Sequence, residues 1–132
     1  MKIRLAKFED AQTLFDWRND ALTREMSRNN SHVDWADHVV WLMRRLEFPG
    51  LHIAEVDGNP VATFRVDGDE ISYTVAPAQR NNGVGLTMLR IARKMYGPLR
   101  AEIFSKNAAS IKIAEKAGFD VVLMDIHHHC MR

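Results

Sequence analysis

Over Met1–Ala6, Ile3 and Leu5 alternate with charged residues, which predicts a short strand. From Phe8 to about Asp20, apolar residues recur at Ala11, Leu14 and Phe15, with Leu22 further on, as a helical stripe does. Asp34 before Trp35, with Asp37 three residues later, opens a second helix. Its apolar face is Trp35, Val39, Leu42 and Leu46, and after Phe48 the pair Pro49-Gly50 stops it. Three short runs rich in β-branched and aromatic residues follow: Leu51–Val56, Pro60–Val66 and Glu70–Val75. Asp57-Gly58 and Asp67-Gly68 join them, and Asp-Gly is a hairpin signal because both positions tolerate positive φ. The turn Ala76-Pro77-Ala78 leads through a glycine-containing loop into a helix reaching about Tyr96, with one apolar row at Val84, Met88, Ile91 and Met95 and a second at Leu89, Ala92 and Tyr96. Gly97-Pro98 ends that helix. Leu99–Phe104 reads as a strand, Asn107–Ala117 as a helix ended by Gly118, and Phe119–Ile126 as a last strand. The order β-α-α-β-β-β-α-β-α-β implies an α/β domain, a mixed sheet with helices on its faces.

Composition narrows the class. A chain of 132 residues fits one domain, residues 1–132, and 46% hydrophobic with 27% charged residues is an ordinary globular mix. Eighteen basic against 17 acidic side chains leave a net charge of +1, which argues against a general nucleic-acid binder. No apolar run approaches the roughly 18–20 residues that span a bilayer, and Met1–Arg4 does not open a secretory leader. The one cysteine, Cys130, excludes a disulfide framework and suits a reducing compartment, so the expectation is a cytoplasmic protein without membrane partners. His127-His128-His129 beside it alternate faces on a strand and do not meet one ion, so no metal site is expected.

The chemistry-bearing stretch is Arg80-Asn81-Asn82-Gly83-Val84-Gly85, between a strand and a helix. Glycines let backbone approach a ligand, and the first helical N–H groups, unpaired within the helix and at its positive end, suit phosphate oxygens. A P-loop would need Gly-Lys-Ser/Thr, but Gly85 is followed by Leu86-Thr87. The dinucleotide fingerprint would need a glycine at position 88, which is Met. A plain glycine turn stays as the bland alternative.

Val75-x-Pro77-x-x-Arg80-x-x-Gly83-x-Gly85, together with Asn107-x-x-Ser110 and Glu115-Lys116-x-Gly118-Phe119, resembles the GNAT superfamily of acyl-CoA-dependent N-acyltransferases. The resemblance implies a mixed, mostly antiparallel sheet flanked by helices, with acetyl-CoA as co-substrate. It implies that amides from Asn81, Asn82, Gly83, Val84, Gly85 and Leu86, with Arg80, hold the pyrophosphate. Val75 would meet the pantetheine arm and supply a backbone oxyanion donor, while Asn107 and Ser110 would contact the cofactor arm. The family's usual tyrosine donor to the departing thiolate falls at Ala114, so Ser110, Tyr96, Tyr73 or a water is left for that role. For the base, His38 and Glu70 are the leading candidates, with His52 and Glu55 behind them.

The resemblance also implies that the first two helices shape the acceptor pocket. Trp17-Arg18-Asn19, Arg24-x-Met26 and His38-x-x-Trp41-Leu42 resemble the amino-sugar-nucleotide N-acetyltransferase subgroup, and less closely acetyltransferases of protein N-termini. Trp17, Arg18 and Asn19 would then touch the acceptor, a Trp offering an apolar face and Arg and Asn offering donors. Against this, the tryptophans also suit a core, and Arg18 suits a helix C-terminus. The alternatives are an acetyltransferase of protein or peptide N-termini and a CoA-binding sensor without turnover, motivated by Ala114. An exposed sheet edge would allow two copies to pair as a homodimer.

Overall fold

The computed structural model describes residues 1–26 and 31–125. Six strands form one sheet in sequential order: β1 (Lys2–Leu5), β2 (Leu51–Val56), β3 (Asn59–Asp67), β4 (Glu70–Val75), β5 (Arg100–Phe104) and β6 (Asp120–Met124). The first four are antiparallel neighbours; β4–β5 and β5–β6 run parallel. Asp57 (φ 54°) and Gly58 (φ 80°) both take the left-handed region, the geometry of a tight β2–β3 hairpin turn. The mixed, mostly antiparallel α/β domain expected from the sequence is therefore the fold observed.

Helices cover both faces. On one face α4 (Val84–Tyr96) and α5 (Ala108–Lys116) make the crossovers that parallel strands require. Met88, Leu89, Ala92 and Ala114 from these helices pack on Ala54, Phe64, Ile71 and Ile103 of the sheet. On the other face lie α1 (Ala11–Asn19) and α3 (Trp35–Arg45), where Leu14, Trp17 and Leu42 pack on Leu51 and Ile53. Alternation along β2 explains both layers, because residues 51 and 53 point one way and 52 and 54 the other.

The first predicted helix, Phe8 to about Asp20, is a 3-10 turn at Phe8–Asp10 followed by α1, and a short α2 (Ala21–Glu25) comes after it. Asp20 is the cause. Its extended ψ of 134° breaks the helix, and its carboxylate accepts from Thr23 N–H at 3.1 Å, capping α2. At the start of α1, Arg4 donates two hydrogen bonds of 2.8 Å to Asp10 and one of 2.8 Å to Glu55, tying β1 to the turn and to β2. The last strand ends at Met124; Ile126, His127, His128, His129 and Cys130 lie outside the described residues. Among the described residues, no helix is long and apolar enough to cross a membrane.

Gly85, in the first turn of α4, is a packing glycine. A Cβ there would stand 2.8 Å from Ile113 Cδ1 and 3.1 Å from Val75 Cγ2, so its hydrogen lets α4 close on α5 and β4. Gly85→Val is expected to cost about 1–3 kcal/mol of stability by overpacking. An unchanged urea midpoint would contradict this packing role.

Among the described residues two histidines are buried, one in each layer. His52 stacks on Phe64 (4.6 Å between ring centres), its Nε2 paired with the Tyr96 hydroxyl at 2.5 Å. Burial pushes the pKa of both His38 and His52 below the usual value, and the positive charges of Arg18 and Arg45 respectively push the same way. The unfolded chain therefore takes up protons near pH 6.5 that the folded chain refuses, so stability is full above that pH and falls below it. Unfolding midpoints should drop between pH 7.5 and 5.5, and replacing both histidines with Gln should flatten that slope; an unaltered slope would contradict this assignment.

Candidate functional site

β4 and β5 pair at a single position, Glu70 opposite Arg100, and then part. Their carboxyl ends open a gap, and both following helices start there, the place where open α/β sheets take ligands. At β4's other edge, Ala76 N–H donates to Val61 at 2.9 Å, and Val75 stands opposite Ala62. Backbone groups alternate direction along a strand, so Val75 N–H points away from β3 into the gap.

A cavity of about 350 Å³ runs from Val75 over the loop Arg80–Gly83 to the start of α4. Asn81 (φ 66°) and Gly83 (φ 76°) are both left-handed, which turns the loop sharply into the helix. No side chain caps α4; its first hydrogen bond from the loop carbonyl is Thr87 N–H to Gly83 at 3.1 Å. The amides of Val84, Gly85 and Leu86 are thus the unpaired donors of the helix start. A Cβ on Gly83 would meet nothing within 4 Å, so that side of the loop is open to a ligand. Arg80 turns its guanidinium to the Asp20 carboxylate and, at 3.0 Å, to Thr23 Oγ1, clamping α2 to the loop. The hydrogen bond from Arg80 holds the Asp20 carboxyl below the usual carboxylate range.

A second cavity, also about 350 Å³, lies toward α1 and α3. Both cavities are lined by Thr23, Met26, Tyr73, Thr74, Asn107 and Ser110, so they meet between β4 and the start of α5. At this junction the Tyr73 hydroxyl donates to the Ser110 carbonyl at 2.8 Å and also meets Ser110 Oγ. Burial pushes the Tyr73 pKa up to about 12, the hydrogen bond from Ser110 offsetting part of the rise, so the phenol keeps its proton at neutral pH. Asn107 caps α5, its Oδ1 accepting Ser110 N–H at 3.2 Å.

The residues singled out in the sequence divide between these places and others. Val75, Arg80, Asn81, Gly83, Val84, Gly85, Leu86, Asn107 and Ser110 line the first cavity; Asn82, in the same loop, is exposed beside Gln79. Trp17, Arg18 and His38 line the second. His38 is buried among Phe15, Trp35 and Trp41, with Nε2 bonded to the Ala11 carbonyl at 3.0 Å and Nδ1 without a partner. Asn19 instead holds the backbone of Val33, with bonds of 2.9 Å and 2.8 Å, pinning the chain that returns to α3. Glu70 stands at the opposite end of β4 from Val75, five residues or about 17 Å away, 3.6 Å from Arg100. It is not brought to the junction, and neither is Tyr96, whose hydroxyl meets His52. Ala114 is fully buried in the core. Sequence reasoning missed Arg65 of β3, which enters the second cavity beside Arg18; a lone Arg on an alternating strand carries no signal of its own.

A family model described as Acetyltransferase (GNAT) domain matches residues 1–120. Among solved structures, the ribosomal-protein-alanine N-acetyltransferase from Brucella melitensis is 30% identical with TM-score 0.67, over 89% of this chain and 83% of that one. The yncA protein from Salmonella typhimurium, solved with its cofactor acetyl-CoA, is 26% identical with TM-score 0.66, over 89% and 78%. An aminoglycoside acetyltransferase in complex with coenzyme A and kanamycin, 21% identical with TM-score 0.70 over 89% and 82%, shares the fold. No match is found among curated proteins. With a family model spanning the first five strands, the glycine loop and the helices after it, this chain belongs to the GNAT acetyltransferase domain family.

Proposed function

We propose that this acetyltransferase moves the acetyl group of acetyl-CoA directly to a primary amine of a small molecule, with an amino-sugar nucleotide as the acceptor. The observation that carries the reading is the meeting of two cavities at Tyr73, Thr74, Asn107 and Ser110, one lined by uncapped helix amides and the other by Trp and Arg side chains. That arrangement fits two substrates that approach from opposite sides and touch once.

Acetyl-CoA supplies an activated thioester. The loop from Asn81 through Leu86 offers its amides to the pyrophosphate, where the positive end of α4 adds to them. Arg80 contributes by fixing the loop against Asp20. Asn107 and Ser110 line the arm's path. Val75 N–H points into the gap and is the donor for negative charge on the carbonyl oxygen as the amine nitrogen bonds to carbon. The carbon–sulfur bond then breaks, and the nitrogen sheds its proton.

With Ala114 lacking a hydroxyl, the Tyr73–Ser110 pair, which lines both cavities, is the proposed donor to the departing sulfur, the Tyr73 hydroxyl turning from the Ser110 carbonyl to reach it. A phenol near pKa 12 stabilises a thiolate of ordinary pKa about 8.5 by hydrogen bonding rather than by giving up its proton. No strong base is needed where the acceptor amine is less basic than lysine, as a sugar amine flanked by oxygens is.

Thiol release from acetyl-CoA in the presence of a uridine diphosphate amino sugar tests the reading. Turnover is expected, and Tyr73→Phe should lower kcat by about tenfold or more with the KM for acetyl-CoA within about twofold. Release only with peptides bearing a free N-terminus would replace the acceptor, and acetyl-CoA binding with no thiol release for any amine would replace catalysis by binding alone.

A further inference from the structure

In the second cavity two guanidinium groups rest on one indole. Arg18 Cζ lies 5.1 Å and Arg65 Cζ 5.7 Å from the centre of the Trp41 ring. Arg18 comes from α1, Trp41 from α3 and Arg65 from β3, so the cluster is built by tertiary packing. Such stacking suits Arg and holds the planar fork still, leaving its in-plane N–H donors for another group.

Arg18 has no carboxylate partner among the described residues. The remaining residues, 27–30 and 126–132, contain no aspartate or glutamate, so no acidic side chain there can supply one. Arg65 Nε lies 2.9 Å from Asp67 but out of line for a hydrogen bond, and Asp67 is shared with Arg45 at 3.1 Å. Two guanidiniums, Arg45 and Arg65, therefore share one carboxylate, and Arg18 has none among the described residues. The single carboxylate that lines this cavity, Glu102, is bound by Arg100. His38, whose ring stacks on Trp41 at 5.8 Å, is the other titratable group on this wall and is held neutral by its burial. The cost of this arrangement shows at Arg18, where burial, and then the charge of Arg65, push the guanidinium's pKa down. Desolvating a cation beside another cation is unfavourable unless an anion arrives to pair with them.

We infer that Arg18 and Arg65, held on Trp41, form an oxyanion subsite of the acceptor cavity, so that the acceptor amine belongs to a molecule carrying a phosphate or carboxylate. This deepens the acetyl-transfer reading and rests on it for the word acceptor. It is broader than a sugar nucleotide: an amino-sugar phosphate or an amino acid also satisfies it. It disfavours polycationic amines, which the same two charges repel.

Calorimetric titration of three related amino sugars decides the point: glucosamine, glucosamine 1-phosphate and 2-amino-2-deoxygluconate, each with and without saturating CoA. At least one of the two anions is expected to bind roughly tenfold or more tightly than glucosamine, and the preferred one identifies phosphate or carboxylate as the partner. Arg18→Gln should abolish that preference while leaving CoA affinity unchanged. Should that variant lose its cooperative unfolding transition, Arg65→Gln carries the same expectation. Equal binding of all three amines by the natural protein, or a preference that survives in the folded Arg variant, would overturn the subsite. CoA titrated alone tests the acetyl-transfer reading separately, and the amine titrations without CoA still decide the subsite if CoA fails to bind.

Discussion

The site depends on two parallel strands that stop pairing. β4 and β5 meet at Glu70 and Arg100 and nowhere further along, so the edge of β4 beyond that point has no strand to satisfy it. Backbone donors left this way must find water or a ligand. The same divergence sets the starts of α4 and α5 on either side of the opening, with the uncapped amides of one helix and the Asn107-capped first turn of the other facing it. Closing the gap by extending the ladder would pair Val75 with β5 and fill the space in which the two cavities join.

The local features of this design were legible in the sequence. The Asp57-Gly58 turn, the stop at Gly97-Pro98 and the loop into α4 follow from residues within a few positions of one another, where backbone preference decides, whereas the second hairpin turns at Gly68-Asp69, one residue past the expected pair. What distant residues decide was not legible. Arg80 lines the loop cavity as its place in the motif suggests, and its guanidinium also spans 60 positions to Asp20, the residue that splits the first helix from α2. Asn19 was read as facing the acceptor, yet it reaches 14 positions forward to the Val33 backbone. Tyr73 stood among several hydroxyls until its contact with Ser110, 37 positions on, singled it out. Gly85 belonged to a ligand-binding pattern on paper, but its missing side chain also makes room for Ile113 and Val75. None of these pairings leaves a periodicity or a spacing to read.

The two halves of the proposed site differ in what they are built from. The cofactor side is built from backbone: turn geometry, helix-start amides and a strand edge, features that many sequences can supply. The proposed acceptor side is built from side chains on α1, α3 and β3, whose identity sets what the cavity can recognise. This is why proteins of one fold, among them a ribosomal-protein-alanine N-acetyltransferase and an aminoglycoside acetyltransferase, bear different acceptors in their names. In this chain the proposed acceptor side sets two guanidiniums, Arg18 and Arg65, on the Trp41 ring, and that pair is its most specific feature.

The central claim is that the gap beyond Glu70 and Arg100 receives coenzyme A, with Val75 N–H at the arm and the first amides of α4 at the pyrophosphate. Amide resonances of the 15N-labelled protein, recorded as coenzyme A is added, test it most directly. The account predicts that the largest shifts fall on Val75, Gly83, Val84, Gly85 and Leu86, with the β1–β2 amides unmoved. Shifts confined to other surfaces, or saturation with those five amides unchanged, would contradict it.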